Sequence, residues 1–421
     1  MRRLLPFALM LFLLSPALQA QRPCASSDYL NLEIQKDPTL ALRLLEAEQT
    51  SRKGFGEEIL SETPNSPSQT LRVITIPVVV HVLYHDPNEK ITEQQVLSQI
   101  EILNQEFRKT HADTSLIPTA FKNLAADCYI EFALAKVTPQ GYATNGIVYK
   151  STSQSLFGLD DRIKFTSKGG ADAWDSKRYL NIWVGNLVSG VIGYSSPLGG
   201  PAEKDGVVIA YYAFGTSGKV TAPYSKGRTA VHEIGHWMGL KHIWGDQYCG
   251  DDGVDDTPQQ SVPTRGCPSA SVYGNCTNAQ QRLMFNNYMD LTNDDCLNMF
   301  TLGQRERIRN SFQPGAAHYA LTLSDALTAT PIPEPIQSQE VQPVPIRVFP
   351  NPSTSKFILD VSARPQMIGT LVSVYNQLGM QVLTVRVSGL HTEINLAALK
   401  DGMYFLRTIG HQETVKLIKR I

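Results

Sequence analysis

The sequence predicts an α+β domain, a twisted mixed sheet plus one site-bearing helix, followed by a small all-β sandwich. Strand-like apolar runs at residues 73–83, 129–134, 179–184, 191–195 and 206–211 are the first observation. The second is a pair of helical segments: residues 92–109, where Val96, Ile100, Leu103 and Phe107 recur at helical spacing, and a stretch from about residue 226 to 240. The third is a change of text after a proline-rich stretch. Short alternating strands at residues 346–349, 357–361, 371–375, 381–387 and 403–409 are separated there by Asn351-Pro352, Gln377-Leu378-Gly379 and Asp401-Gly402.

Taken in order, Met1-Arg2-Arg3, the apolar run 4–14 and Ser15-Pro16-Ala17-Leu18-Gln19-Ala20 have the three-part form of a secretory signal peptide, residues 1–20. The run falls short of the ~20 residues a bilayer span needs. Gln21-Arg22-Pro23 before Cys24 lacks the small residues that precede a lipidated cysteine. Residues 21–71 read as a propeptide, with a helical stretch bearing Leu40, Leu42, Leu44 and Leu45 and then a Ser/Thr/Pro-containing run, 61–70. The main domain spans 72–322 and opens on a strand and on the helix that Thr92 and Gln95 begin as a capping box. A linker, 323–345, contains Pro331-Ile332-Pro333-Glu334-Pro335, and the sandwich occupies 346–421. A net charge of -1 gives no electrostatic reason to expect nucleic acid or an anionic membrane as partner. Export implies an oxidising compartment, so the six cysteines are potential disulfides. Cys249, Cys267, Cys276 and Cys296 allow three pairings, and Cys128 reads as a buried free thiol.

The chemistry concentrates in His232-Glu233-Ile234-Gly235-His236-Trp237-Met238-Gly239-Leu240-Lys241-His242. Residues four apart share a helix face, so His232 and His236 can aim at one ion, with Glu233 beside it. A continuing helix would carry His242 roughly 9 Å past His236. Gly239 permits the left-handed turn that brings His242 back. Three neutral imidazoles leave a fourth position for water, which marks a catalytic zinc site rather than a closed one. Five fixed positions arise by chance in a chain this long at roughly 1 in 10,000, taking ~1/20 per position. The chemistry is then hydrolysis of peptide bonds, with Glu233 as the base.

The same motif, with Asn286-Asn287-Tyr288-Met289-Asp290 downstream, resembles the metzincin clan of zinc endopeptidases. Ile76-Pro77-Val78-Val79-Val80-His81-Val82-Leu83-Tyr84, Leu180-Asn181-Ile182-Trp183-Val184 and Asp255-Asp256-Thr257-Pro258 narrow the resemblance to the pappalysin family, over roughly residues 72–315. It implies a metzincin fold, Met289 as the turn methionine, residues 191–195 as a sheet edge for extended substrate, and disulfides Cys249–Cys276 and Cys267–Cys296. It also implies latency through Cys24, in Arg22-Pro23-Cys24-Ala25 where the family has Arg-x-Cys-Gly, with Asp28 as an alternative carboxylate ligand. Asp295 would sit at the base of the S1' pocket and favour Arg or Lys after the cut, making Ser51-Arg52 and Leu71-Arg72 candidate self-processing bonds. Asp252, Asp255 and Thr257 would hold structural calcium. Clan members often carry a tyrosine two residues after the methionine; here Leu291 stands there.

The C-terminal text, with Phe349-Pro350-Asn351-Pro352, Val374-Tyr375-Asn376-Gln377-Leu378-Gly379, Gly402-Met403-Tyr404 and Lys416-Leu417-Ile418-Lys419-Arg420-Ile421, resembles the sorting domain of bacterial type IX secretion substrates. That implies passage through the type IX machinery and a secreted or outer-membrane-surface location; a carbohydrate-binding or adhesive module is the other reading. For the whole chain the alternative to a zymogen-derived endopeptidase is a surface-displayed protein that holds zinc with little or no turnover. Glu233 separates the two, since degenerate relatives lose the base and keep the ligands.

Overall fold

Two helices open the described chain, α1 (Ser26–Lys36) and α2 (Thr39–Lys53), before strand β1 (Ile74–Tyr84) and helix α3 (Glu93–Phe107). The computed structural model describes residues 24–53, 71–276, 280–333, 346–408 and 414–420. The expected signal peptide and residues 334–345 of the expected linker lie outside them. Among the described residues no helix is long and apolar enough to cross a membrane. The chain falls into two units, Met1–Pro333 and Glu334–Ile421. Residues 323–333, read from sequence as the start of the linker, belong to the first unit: Ala326 is fully buried against Val79, Ala135 and Val137, and its carbonyl accepts from Lys136 N at 2.9 Å.

The sheet of the first unit adds β2 (Ile130–Leu134), β3 (Ile147–Ser151), β4 (Leu180–Gly185), β5 (Gly193–Ser195) and β6 (Val207–Ala210), in the order β2-β1-β4-β6-β5. One flank of β1 serves two partners, β2 along Ile74–Val78 and β3 along Val80–Tyr84, and the other flank pairs with β4. These strands and β6 run parallel. A strand covered on both faces reads as continuous apolar text, and Val78, Val79, Val80 and Val82 of β1 are all fully buried. Only β5 is antiparallel, pairing with β6 and leaving its other side as the sheet edge. Helix α3 packs on β2, and α4 (Arg228–Trp237) packs on β5, β6 and α3.

Beyond α4 the chain is irregular, with two-residue pairs: β7 (Arg265–Gly266) and β8 (Tyr273–Gly274) join β10 (Leu291–Thr292) and β9 (Gln281–Arg282), respectively. Helix α5 (Leu302–Asn310) follows. The capping box belongs here, where Thr301 Oγ1 accepts from Gln304 N and Gln304 Oε1 accepts from Thr301 N. At Thr92 only half of the expected box forms. Its hydroxyl accepts from Gln95 N, but the Gln95 amide donates instead to the carbonyls of Tyr211 and Phe214.

The second unit is all β. One sheet joins β11 (Arg347–Phe349), β12 (Lys356–Asp360) and β15 (His391–Asn395); the other has the order β14 (Gln381–Arg386), β13 (Leu371–Tyr375), β16 (Gly402–Thr408), β17 (Thr414–Lys419). All pairings are antiparallel, and Phe357, Leu359, Val372, Val374, Ile394, Leu406 and Leu417 form the core. Strands β15 and β17 were not among the strands expected from alternation.

Two buried histidines tie the stability of the first unit to pH. His318 stacks on Trp237 at 3.8 Å, and burial pulls its pKa from 6.5 to about 3. His81, stacked on Trp183, is held at about 4, burial again being the main cause. Both pKa values are depressed on folding, so the stabilisation is complete above about 6.5 and declines as pH falls below it. The His318 contribution falls by about 2 kcal/mol between pH 7.5 and 5. In denaturant melts, the stability gap between wild type and His318→Gln should narrow by that amount over this interval. A gap independent of pH removes the explanation.

Candidate metal centre and the segment that covers it

Helix α4 begins at Gly227, whose φ of +71° suits glycine and which offers no side-chain cap. Asp294 supplies the cap from a distant loop: its buried Oδ2 accepts from Lys226 N at 2.9 Å and Arg228 N at 3.3 Å. Arg228 then locks the helix start, pairing with Glu106 of α3 at 2.9 Å and Asp113 at 2.7 Å, and donating to the Asp294 carbonyl at 2.7 Å. The helix ends after ten residues, nearly three turns on. Gly239 N donates to His236 O and Leu240 N to Gly235 O, with Gly239 at φ +91°. The chain reverses there, and α4 is shorter than the 226–240 that spacing suggests.

The reversal brings three ring nitrogens together. Nε2 of His236 lies 3.1 Å from that of His232 and 3.1 Å from that of His242, and the last two are 3.3 Å apart. Each opposite nitrogen meets an acceptor: His232 Nδ1 the carbonyl of Tyr288 at 2.6 Å, His236 Nδ1 that of Leu240 at 2.9 Å, His242 Nδ1 the Asp246 carboxylate at 2.5 Å. Protons on Nδ1 leave three Nε2 lone pairs facing one another, which repel unless a cation lies between them. The spacing also fits zinc, since tetrahedral bonds of about 2.0–2.1 Å place ligand atoms roughly 3.3 Å apart. Below the helix, a Cβ on Gly235 would come within 2.6 Å of Met289 Sδ, so glycine lets the turn methionine pack directly under the ligands. Trp244 stacks on His242 at 4.2 Å.

A fourth donor comes from the start of the chain. Cys24 offers Sγ to the same group, all four ligand atoms lying within 4.8 Å of one another. The backbone holds it there, because Cys24 bridges Gly193 of β5 in parallel and Ala25 N donates to Gly193 O at 3.0 Å. Gly193 also lets β5 lie close against α4, since a Cβ there would stand 2.8 Å from Glu233 Cγ. Two serines follow. Ser26 Oγ donates to Glu233 Oε2 at 2.7 Å and accepts from Ser195 N at 2.9 Å, while Ser27 Oγ donates at 2.7 Å to the Asp246 oxygen that His242 also uses. Burial opposes ionisation of Asp246, but its hydrogen bonds with His242 and the Ser27 hydroxyl hold its carboxyl below the ordinary carboxylate value. Asp28, the other expected ligand, is exposed in the first turn of α1. Tyr29 and Glu33 anchor that helix. The Tyr29 hydroxyl donates to Asp161 at 2.5 Å, and Lys204 pairs with Glu33 at 2.8 Å.

The remaining expected residues are more dispersed. Cys249 is bonded to Cys276 and Cys267 to Cys296, with Cα–Cα distances of 5.5 and 5.7 Å, and Cys128 is a buried free thiol. Asp295, beside the loop that caps α4, is exposed and pairs with Lys226 at 2.8 Å. Thr257 Oγ1 donates to Asp252 at 2.8 Å, whereas Asp255 is exposed. Burial pushes the Asp252 carboxyl up to about 6 against the pull of Thr257 and Val254 N. Neighbouring Asp256 turns elsewhere, to Thr301 Oγ1 and Gly303 N at the start of α5. Sequence reasoning missed Ser26, Ser27, Tyr29, Asp246 and Asp294. Of these only Asp246, one helical turn of sequence beyond His242, carried a signal near the motif.

Comparison with known proteins gives the same picture. Residues 165–313 match the peptidase family described as pregnancy-associated plasma protein-A, and residues 347–421 match the secretion system C-terminal sorting domain. An extracellular metalloprotease of Arthroderma benhamiae is 30% identical, over 61% of this chain and 80% of its own length. Another, from Aspergillus fumigatus, is 29% identical over 59% of this chain and 80% of its own. Among solved structures, a promirolysin point mutant from Tannerella forsythia is 40% identical, covering 72% of this chain and 97% of its own with a TM-score of 0.64. Mature Tannerella forsythia mirolysin in complex with a cleaved peptide is 44% identical over 62% of this chain and 98% of its own, with a TM-score of 0.59.

Proposed function

The chain belongs to the pappalysin family of zinc metalloendopeptidases, and from that premise we propose that it is made as a zymogen whose mature form cuts peptide bonds before basic residues. Its sorting domain makes it a secreted or outer-surface protein. The observation that carries the catalytic reading is the meeting of three Nε2 atoms at 3.1–3.3 Å, with Glu233 on the next residue of the same helix.

His232, His236 and His242 would hold the zinc, their Nδ1 acceptors keeping each ring in the right tautomer. Bound zinc supplies Lewis-acid activation of the attacking water and of the scissile carbonyl. Glu233, 1% exposed, takes the proton from that water and passes it to the leaving amine. With Leu291 in place of a tyrosine, backbone donors at the β5 edge are left to orient the carbonyl. Ser195 N already serves an oxygen there, that of Ser26, at 2.9 Å.

For specificity, Asp295 would accept an arginine or lysine side chain on the primed side. Its pairing with Lys226 is exposed, and exposed pairs contribute about 0–1 kcal/mol, so a bidentate arginine can displace the lysine. Latency would have two parts. Cys24 completes a closed four-donor set that leaves no place for water, and Ser26 occupies the carboxylate of the base. Calcium would lie on Asp252, Asp255 and Thr257, relieving a buried carboxyl that burial now disfavours.

After prosegment removal and zinc loading, wild type should cleave a denatured protein mixture with Arg or Lys following most cuts. Glu233→Ala should be slower by about 10²–10⁴-fold. A wild type that stays inert under these conditions overturns the proteolytic reading, and cuts without basic preference overturn the role of Asp295.

In the uncleaved zymogen, Cys24→Ala should raise the initial rate on a short peptide, and Ser26→Ala should raise it further only when Cys24 is also replaced. Latency unchanged in the double variant discards this account of the covering segment.

EGTA should lower the activity or melting temperature of wild type, with calcium and not zinc restoring it. Asp252→Asn should be insensitive to both; an EGTA-indifferent wild type leaves the acidic loop without a cation.

A further inference from the structure

Tyr29 fills a pocket that the rest of the first unit builds around it. The ring is fully buried and lies 4.8 Å from the ring of Tyr194 on β5. Lys164 Nζ stands 4.6 Å from the Tyr29 ring centroid and 5.6 Å from that of Trp183. At the closed end, the phenol donates to Asp161 Oδ1 at 2.5 Å and accepts from Lys164 Nζ at 3.2 Å. Asp161 and Lys164 are 2% and 0% exposed, and Lys204 adds a contact to Asp161 at 2.9 Å. A donor and an acceptor of opposite charge thus converge on one hydroxyl, over an aromatic floor. Such a site distinguishes tyrosine from phenylalanine, because the latter leaves Asp161 and Lys164 each one hydrogen bond short, even though Asp161 keeps Lys204 and Lys164 keeps the Lys204 carbonyl.

The pocket adjoins the strand expected to align extended peptide. Side chains alternate along a strand, and the place a Cβ would take on Gly193 lies against Glu233 of α4. Tyr194, the next residue, therefore faces the other side of β5, and Tyr29 sits on that side. A peptide paired with the β5 edge sends alternate side chains to the same two sides.

We propose that, once the prosegment has left, the pocket vacated by Tyr29 is a subsite for a tyrosine side chain of the substrate. This rests on the zymogen reading above. The prosegment then occupies the site as a substrate mimic, with Tyr29 in place of the substrate's phenol. No covalent step is involved.

Mature protein, freed of its prosegment by processing of the full chain, would be given peptides differing only by Tyr, Phe or Ala at each position around the cut. At one position Tyr should exceed Phe by about tenfold in kcat/KM, and Asp161→Asn should bring that ratio near one. A parallel arm measures binding of the same peptides to mature Glu233→Ala, where Tyr should again bind about tenfold more tightly than Phe. Equal values for Tyr and Phe at every position in wild type overturn the subsite whether or not Asp161→Asn folds. If no peptide is turned over, the proteolytic reading fails on its own and the binding arm still decides: a tenfold preference for Tyr supports the pocket, and equal affinity overturns it.

Discussion

Three unprotonated imidazole nitrogens held within 3.1–3.3 Å of one another are the constraint around which the first unit is arranged. Left to themselves the rings would rotate apart or take up protons. Each is oriented instead by an acceptor on its far nitrogen, and the three acceptors come from three places: the carbonyl before Met289, the carbonyl after Gly239, and Asp246 in the loop past Trp244. The irregular chain between α4 and α5 is therefore part of the site. Two disulfides within it and the Asp294 cap at the start of α4 restrict how far that chain can drift from the helix.

The covering segment reaches the same machinery at separate points. Cys24 approaches the nitrogens, Ser26 the carboxylate of Glu233, and Ser27 the carboxylate that orients His242. Cys24 Sγ also donates to Glu233 Oε2 at 3.6 Å, so thiol and hydroxyl meet the base at the same oxygen. A hydroxyl between Glu233 and Ser195 N gives both a bond in a space with little solvent.

What could be read from the sequence follows from how local each determinant is. The histidine spacing, the turn at Gly239 and the apolar text of β1 and β4 are properties of a few consecutive residues, and the structure places them as that text implies. Helix α1 escaped because Ser26–Lys36 is mostly polar, with only Ser26, Tyr29 and Glu33 buried, and those bind residues more than a hundred positions away. Strand β3 has one buried residue, Ile147, and so lacks the alternation that marks a strand. At Thr92 the right pair of residues was present, but the Gln95 amide found better-placed carbonyls at Tyr211 and Phe214, a tertiary choice that spacing does not encode. Asp294 stands beside Asp295 with nothing in the local text to tell their roles apart. Only its fold-imposed position beside Lys226 N and Arg228 N makes it a helix cap and leaves Asp295 as the exposed member.

The two helices of the covering segment are not equally held. In α2 Leu40 is buried, but Leu42 and Leu45 are 63% and 55% exposed, so the grip lies in α1 and in residues 24–27. The contacts of α1 are unchanged by a cut between α2 and β1, yet the cut changes their consequence. While tethered, residues 24–37 face the site at an effective concentration of about millimolar; once severed, they face it at the concentration of free peptide. At about micromolar protein this is a change of about 10³-fold, or ~4 kcal/mol. That exceeds what burial of one aromatic side chain contributes, about 1.5–3 kcal/mol. In the proposed zymogen, latency would therefore combine the contacts of Cys24, Ser26, Ser27 and α1 with the covalent tether, and loss of the tether would favour departure of the segment.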